Sequence, residues 1–387
     1  MNVLISGASV AGPSLAYWLA RHGFRPTVVE IAPGPRGGGY AVDFRSEAHL
    51  TVLSRMGVLD DLRGLATGGS PMSHVDASGA EIFALPPEFA GGDIEVLRSD
   101  LARVLHEKTE ESCEYVFGES VTSLTETPGG VEAAFARSAP RTFDLVIGAD
   151  GLHSNVRRLA FGPDEEYVTH LGYYVAGWTM PANTPVGPVP QAHNEPGRMI
   201  SVGADGRGGA DAFAVFTSGV LDSDRRDPAE QKRVLARAFA GMGWRAAELV
   251  EGLTGTGELY FDSISRVDVP AWSRGRVALA GDAAHGATLG GMGTGTAVVG
   301  AYVLAGELAA AGGDHVAGFA AYEKELRDFA TECQQGGETT GGFLAPASAE
   351  KLAERDAMML SPEFLAVMAE VAEERAAGIE LKGYGLF

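Results

Sequence analysis

Ile5-Ser6-Gly7-Ala8-Ser9-Val10-Ala11-Gly12-Pro13 is the stretch on which the reading of this chain turns. Before it stands a short apolar run, Asn2 to Ser6, suited to a buried parallel strand. After it, Pro13 to His22 carries helical spacing, with Leu15, Trp18 and Leu19 on one side. Gly23 stops that helix, and Thr27 to Glu30 is a second apolar strand that ends in an acid. Strand, glycine loop, helix and strand together predict a Rossmann-like α/β unit that binds a dinucleotide.

Each residue of the loop has a physical task in that reading. Gly7 supplies the turn, and Gly12 lets the helix pack close to the sheet. The N–H groups at Ser9, Val10 and Ala11 then point at one place, where the helix dipole favours a pyrophosphate. Ser9 stands where a glycine usually allows the closest approach, but its hydroxyl can itself donate to a phosphate oxygen. Glu30 lies eighteen residues beyond Gly12, at the strand tip, where a carboxylate accepts hydrogen bonds from a ribose diol. An ordinary strand–helix turn would share the glycines. The acid and the start at residue 2 favour the cofactor.

The bulk properties bound the rest. With 387 residues the chain is too long for one core and predicts two domains. A net charge of −21 without a basic block disfavours nucleic acid and anionic membrane surfaces as partners. Cys113 and Cys333, far apart, suggest a reducing compartment and neither a disulfide framework nor a metal site, so the cytoplasm is the expected location. From Ala283 to Gly306 no Asp, Glu, Lys or Arg occurs, yet seven glycines and His285 read half of it as loop rather than a membrane span.

Two further segments match the needs of such a fold. Phe143 to Asp150 is an apolar strand running into Asp150-Gly151 and then His153-Ser154-Asn155-Val156-Arg157-Arg158. Arg276 to Asp282 is another, followed by Ala283-Ala284-His285 and the loop Gly290-Gly291-Met292-Gly293-Thr294-Gly295 before an alanine- and valine-rich helix. With "GASVAG…E", "GADGLHSNVRR" and "GDAAHGATLGGMGTG" in this order, nearly the whole chain resembles the FAD-dependent aromatic hydroxylases, single-component flavoprotein monooxygenases of the para-hydroxybenzoate hydroxylase superfamily. "GGGYAVDFR" makes it most similar to short bacterial members, the tetracycline-inactivating and polyketide-tailoring hydroxylases.

The resemblance implies FAD as cofactor, with its pyrophosphate on Gly7 to Gly12 and its adenosine ribose on Glu30. It implies Asp43 and Arg45 near the flavin and ribityl chain, and Arg98 opening the helix beneath the cofactor. Asp150 shapes the FAD site and the nicotinamide approach, Asp282 accepts from ribityl hydroxyls, and Arg157 assists with phosphate. Gly291, Met292, Gly293 and Thr294 form the loop at the flavin N1–C2=O edge, where the following helix would stabilise an anionic reduced ring. The implied reaction uses NADPH or NADH, as a transient reductant, and molecular oxygen to hydroxylate an aromatic or polyketide substrate through a flavin C4a-hydroperoxide. In one respect the match fails: no proline lies between His285 and Gly290, and the segment is one residue short. That departure keeps a flavin dehydrogenase or desaturase in view, and a non-catalytic flavin-binding protein is the rival of a different class.

Residues 165–270 switch to alternating strands and predict an antiparallel sheet with one buried face; the resemblance implies that this sheet is an insertion that roofs the flavin, with 1–164 and 271–312 as the discontinuous FAD-binding domain. Tyr174 and Trp178, which share a strand face, and Arg198 are the candidates for substrate contact, with packing in a core as the competing reading of the aromatics. Residues 313–387 are expected to be helical and to bridge the domains.

Overall fold

The computed structural model describes residues 1–35, 40–68, 71–85, 92–222, 227–257, 259–290, 292–365 and 378–386. Six strands form the first sheet, in the order Ser273–Arg274, Val277–Leu279, Leu145–Gly148, Asn2–Ser6, Arg25–Glu30 and Glu114–Phe117. All pairs are parallel except that of the two-residue edge strand. The central strands are apolar without alternation, as strands covered on both faces must be. Helices Ala11–Arg21 and Gly293–Ala310 and a three-stranded meander, Val121–Thr127, Gly130–Phe135 and Arg141–Phe143, share one core with them.

The second sheet has seven strands, ordered Leu259–Val267, Val168–Thr179, Ala210–Thr217, Arg198–Ala204, Gln191–Glu195, Met72–Val75 and Glu81–Leu85. It is antiparallel apart from the pairing of Gln191–Glu195 with Met72–Val75. Residues 72–85, counted above with the nucleotide-binding half, therefore belong to the roof. Their short alternating runs show that they are strands but carry no record of the sheet they join, a choice made by pairing across more than a hundred residues.

The two faces of this sheet meet different neighbours. Tyr174, Ala176 and Trp178 pack with Val234, Leu235 and Leu249 of helices Pro228–Ala238 and Ala246–Gly252. Val175, Met199, Val215 and Ile264 form the other face, with Leu289, Leu344 and Ala345 against it. The C-terminal region touches both halves. Helix His315–Glu338 follows Gly293–Ala310, and in Thr340–Leu344 a Cβ at Gly341 would stand 2.6 Å from the Tyr173 ring. Ile379, Leu381 and Tyr384 return to the first core. Among the described residues no helix is long and apolar enough to cross a membrane, and no His, Cys, Asp and Glu side chains are grouped to hold a metal.

Candidate cofactor and substrate site

The opening loop is shaped by two glycines that nothing larger could replace. Gly7 adopts φ +109°, and a Cβ there would stand 2.4 Å from the Ala149 carbonyl oxygen. A Cβ on Gly12 would stand 1.9 Å from the Gly7 carbonyl oxygen. Glu30, at the end of its strand, accepts from the Ala8 N–H at 2.9 Å and the Ala32 N–H at 2.9 Å, so the acid is oriented by the loop itself. Ser9 Oγ accepts from Arg98 at 3.3 Å.

Arg98 carries the arrangement to the distant motifs. Burial works against its charge, but Tyr40, Tyr260, Asp282 and Asp262 surround it and raise its pKa. Burial pushes the Asp282 carboxyl up, with Arg98 pulling the other way. Asp282 also adjoins the glycine loop: a Cβ on Gly293 would stand 3.2 Å from Asp282 Oδ1. Glu30 is thus tied to the loop at Ala8, Ser9 to Arg98 by a hydrogen bond, and Arg98 to Asp282 by charge.

Helix starts reinforce this geometry. Among the described helices of ten residues or more, Glu47–Met56, Pro228–Ala238, His315–Glu338 and Ala349–Met359 are capped by the side chains of Ser46, Asp227, Asp314 and Ser348. Ala11–Arg21, Arg98–Glu107 and Gly293–Ala310 begin at Val10, Leu97 and Met292 without a side-chain cap. These three are the helices whose first residues belong to the cluster. Their leading N–H groups and dipoles suit an anionic or strongly polar ligand. Together with the glycine cradle, this donor set fits an extended FAD.

The remaining candidates are placed as follows. Asp43 and Arg45 form an ion pair with one another. Asp150 accepts from the Asn155 and Val156 N–H groups, at 2.9 and 3.1 Å, and from the hydroxyls of Ser6 and Ser154, so its carboxylate locks the turn after its strand. Arg157 is fully buried and donates to the Ala283 and Leu152 carbonyls, at 3.0 and 2.7 Å, and to Asp164 at 2.7 Å. The phosphate role implied for Arg157 is therefore corrected: its guanidinium ties the Asp150 turn to the Asp282 turn, because their carbonyls reach it first. Met292 has φ +47° and Gly293 and Thr294 open the helix, while Gly291 lies outside the described residues.

The segment lacking its proline is held by other means. The Val267 N–H donates to the Gly286 carbonyl at 2.8 Å and the Thr288 N–H to the Ser265 carbonyl at 3.0 Å, with Ala287 bridged to Arg266. Gln334 Nε2 donates to the Val267 carbonyl at 2.6 Å. The loop is pinned to the roof strand Leu259–Val267 where a proline would have pre-set its backbone.

The three substrate candidates are corrected as well. Trp178 donates through its indole N–H to the Leu249 carbonyl at 3.1 Å, and the Tyr174 hydroxyl accepts from the Leu221 N–H at 3.0 Å. Arg198 is bound to Glu195 and to the Ala238 carbonyl at 2.8 Å. All three address the helical cover, since alternate residues of a strand point to opposite faces. The face toward the nucleotide-binding half presents Phe213 and Tyr260 instead, which meet Tyr40 at ring distances of 6.0 and 5.2 Å. On the same side His153 Nε2 lies 2.8 Å from Asp262 Oδ1, joining the Asp150 turn to the roof. Tyr40 and His153 lie inside the quoted motifs, so the signal was present but unused.

The match to the FAD binding domain family model extends over residues 1–336. The chain belongs to this family of flavin-dependent monooxygenases. A flavin-dependent monooxygenase from an unidentified prokaryote is 36% identical, over 93% of this chain and 95% of its own length. One from Legionella longbeachae is 34% identical, over 87% and 88%. The crystal structure of tetracycline destructase Tet(51) superposes with a TM-score of 0.85 at 31% identity, covering 99% of this chain and 98% of that one. This family member is an FAD-dependent oxidoreductase, and the α/β architecture with its helical C-terminal region is the family's fold.

Proposed function

We propose that this monooxygenase uses NADPH or NADH and molecular oxygen to hydroxylate an apolar aromatic or polyketide-type small molecule lying between the roof sheet and the flavin ring. The observation that carries the reading is the convergence of three uncapped helix starts with Glu30, Arg98 and Asp282, beneath a sheet face that presents Phe213 and Tyr260. Reduced FAD supplies the oxygen-transfer chemistry, so the chain has to bind, orient and exclude water rather than provide a nucleophile.

Gly7 makes the turn and Gly12 brings the helix against the sheet, so that Ser9, Val10 and Ala11 offer their N–H groups to the pyrophosphate, and Glu30 receives the ribose. Arg98 neutralises charge between the diphosphate and Asp282, which faces the ribityl hydroxyls. The pair Asp43 and Arg45 orders the strand turn beside the ring. Asp150 sets the turn that the reductant approaches, and Met292, Gly293 and Thr294 aim the helix start at the ring's N1–C2=O edge.

The test has two stages. The purified protein should be yellow, with flavin absorbance that follows protein through gel filtration. Tetracycline, the compound in the structural neighbour's name, is the first probe of turnover, followed by hydroxylated anthraquinones, with isotopically heavy oxygen in the gas phase. Label in the product is expected; an oxidised product free of label would establish the dehydrogenase reading, which the proline-less loop keeps open.

A further inference from the structure

Gly177 lies in the interior of strand Val168–Thr179, where glycine weakens a strand relative to alanine and calls for a reason. The other glycines of the described strands have one. Gly130 and Gly172 adopt φ +139° and +86°, and a Cβ on Gly148 or Gly203 would stand 2.7 Å from Val156 or Pro190. Gly177 has neither. Its φ lies outside the left-handed region, and among the described residues a Cβ there would meet one heavy atom within 4 Å, the Ala212 carbonyl oxygen at an ordinary 3.8 Å. No bulge explains it, because pairing runs unbroken from Ala176 through Trp178 on both sides of the strand. What remains is the close approach of something other than the chain itself.

Its place in the sheet says what the missing side chain would face. Pairing sets Gly177 between Phe213 and Tyr260, and paired residues share a face, here the one toward the nucleotide-binding half. Tyr40 meets both rings from that half, at 6.0 and 5.2 Å. None of the three rings comes within 4 Å of a Cβ at 177, so no aromatic leans over the glycine in place of a side chain. Bare backbone is therefore the floor between two aromatic walls. Opposed side chains stand about 5 Å apart, so the walls rise about 10 Å from each other, enough for a flat ring in contact at about 3.5–4 Å with each. Gly177 itself is buried, but the row is open at its flanks: Phe213 and Tyr260 are only half-buried, and Thr179, two residues on along the same face, is exposed.

We infer that Gly177 is a specificity-determining residue: the lack of a side chain there lets the edge of a flat, fused-ring substrate pack on the strand backbone between Phe213 and Tyr260. The inference rests on the proposal that substrate lies between this sheet face and FAD. A side chain at 177 competes with the ligand for one volume while improving the strand, so affinity and stability move in opposite directions.

Equilibrium dialysis of FAD-loaded protein against 2-hydroxyanthraquinone tests it without turnover, so a lack of oxygenated product counts against the proposed reaction alone. Gly177→Ala is expected to weaken the ligand about threefold and Gly177→Val about tenfold or more, as the added methyls overfill the slot. Both variants should keep FAD and unfold at urea concentrations no lower than the intact protein, whereas replacing a structural glycine would lower the midpoint. Unchanged affinity in Gly177→Val, a lowered midpoint in both variants, or no binding to the intact protein would each overturn the assignment. If Gly177→Val does not retain FAD, Gly177→Ala decides on the same two measurements. Phe213→Ala separates this inference from the reading beneath it. If that variant weakens the ligand and Gly177→Val does not, the assignment of Gly177 alone fails; if neither does, the placement of substrate against this face fails with it.

Discussion

Gly12 shows how narrow the tolerance at the cofactor loop is. Replacing it by alanine puts a methyl 1.9 Å from the Gly7 carbonyl, backbone against backbone, so the helix must move off the sheet. Gly12→Ala should cost about 2–4 kcal/mol of stability and yield protein with little flavin, read as a fall in the ratio of flavin to protein absorbance. Ser9→Gly is milder, since it removes only the acceptor for Arg98; FAD affinity should fall by about fivefold, measured by fluorescence titration of the apoprotein. Gly12 and Glu30 were legible because their contacts, with the Gly7 carbonyl and with the Ala8 and Ala32 N–H groups, lie within one strand–loop–helix–strand unit. Arg157 was not, because two of its three partners, the Ala283 carbonyl and Asp164, are set by how separate segments meet.

At the level of elements, the roof strands show what alternation can and cannot say. It groups Tyr174, Ala176 and Trp178 on one face, as read, but both faces of this sheet are covered and nothing local distinguishes them. Tyr174→Phe should therefore cost about 1 kcal/mol in urea unfolding, through the lost bond from the Leu221 N–H, and leave substrate affinity unchanged. Phe213→Ala, on the opposite face, should weaken the same ligand by about tenfold or more in binding titrations. The helices held a readable signal that went unused: Val10, Leu97 and Met292 are poor caps, whereas Ser46, Asp227, Asp314 and Ser348 are good ones.

Across the whole molecule, the chain end fastens the cofactor helix. Glu307, buried in Gly293–Ala310, meets Lys382 Nζ at 2.7 Å and the Tyr384 hydroxyl at 2.8 Å, while the Tyr384 ring lies where a Cβ on Gly306 would fall. Ending the chain at residue 377 strands that carboxylate and should cost about 2 kcal/mol, the half-exposed lysine limiting the figure. Glu307→Gln should lower the melting temperature of the full chain yet raise that of the shortened one, a reversal that pins the effect on the buried charge. Acid acts through the core. His49, His74 and His285 have pKa values lowered to about 4 by burial, against about 6.5 in the unfolded chain. Between those values the unfolded state binds more protons, so stability rises with pH and is lost as pH falls from about 6.5 to about 4, each group contributing up to about 1.4 kcal/mol per unit. Asp150 and Asp282, whose pKa values are raised, oppose this near the lower end. Urea midpoints at pH 7 and pH 5 should show the decline.

Sequence by itself settled the first strand–glycine loop–helix–strand unit with Glu30 at its end, the two aspartate turns and the antiparallel character of the roof, since hydrophobic period, turn glycines and strand-end acids act over a few residues. Only the tertiary structure decided that Arg98 links Ser9 to Asp282, that residues 72–85 leave the first half for the second sheet, and that Phe213 and Tyr260, not Tyr174 and Trp178, meet Tyr40 of the nucleotide-binding half. Those outcomes depend on which surfaces bury each other across long stretches of chain, and local patterning is the same for either face of a sheet that is covered on both.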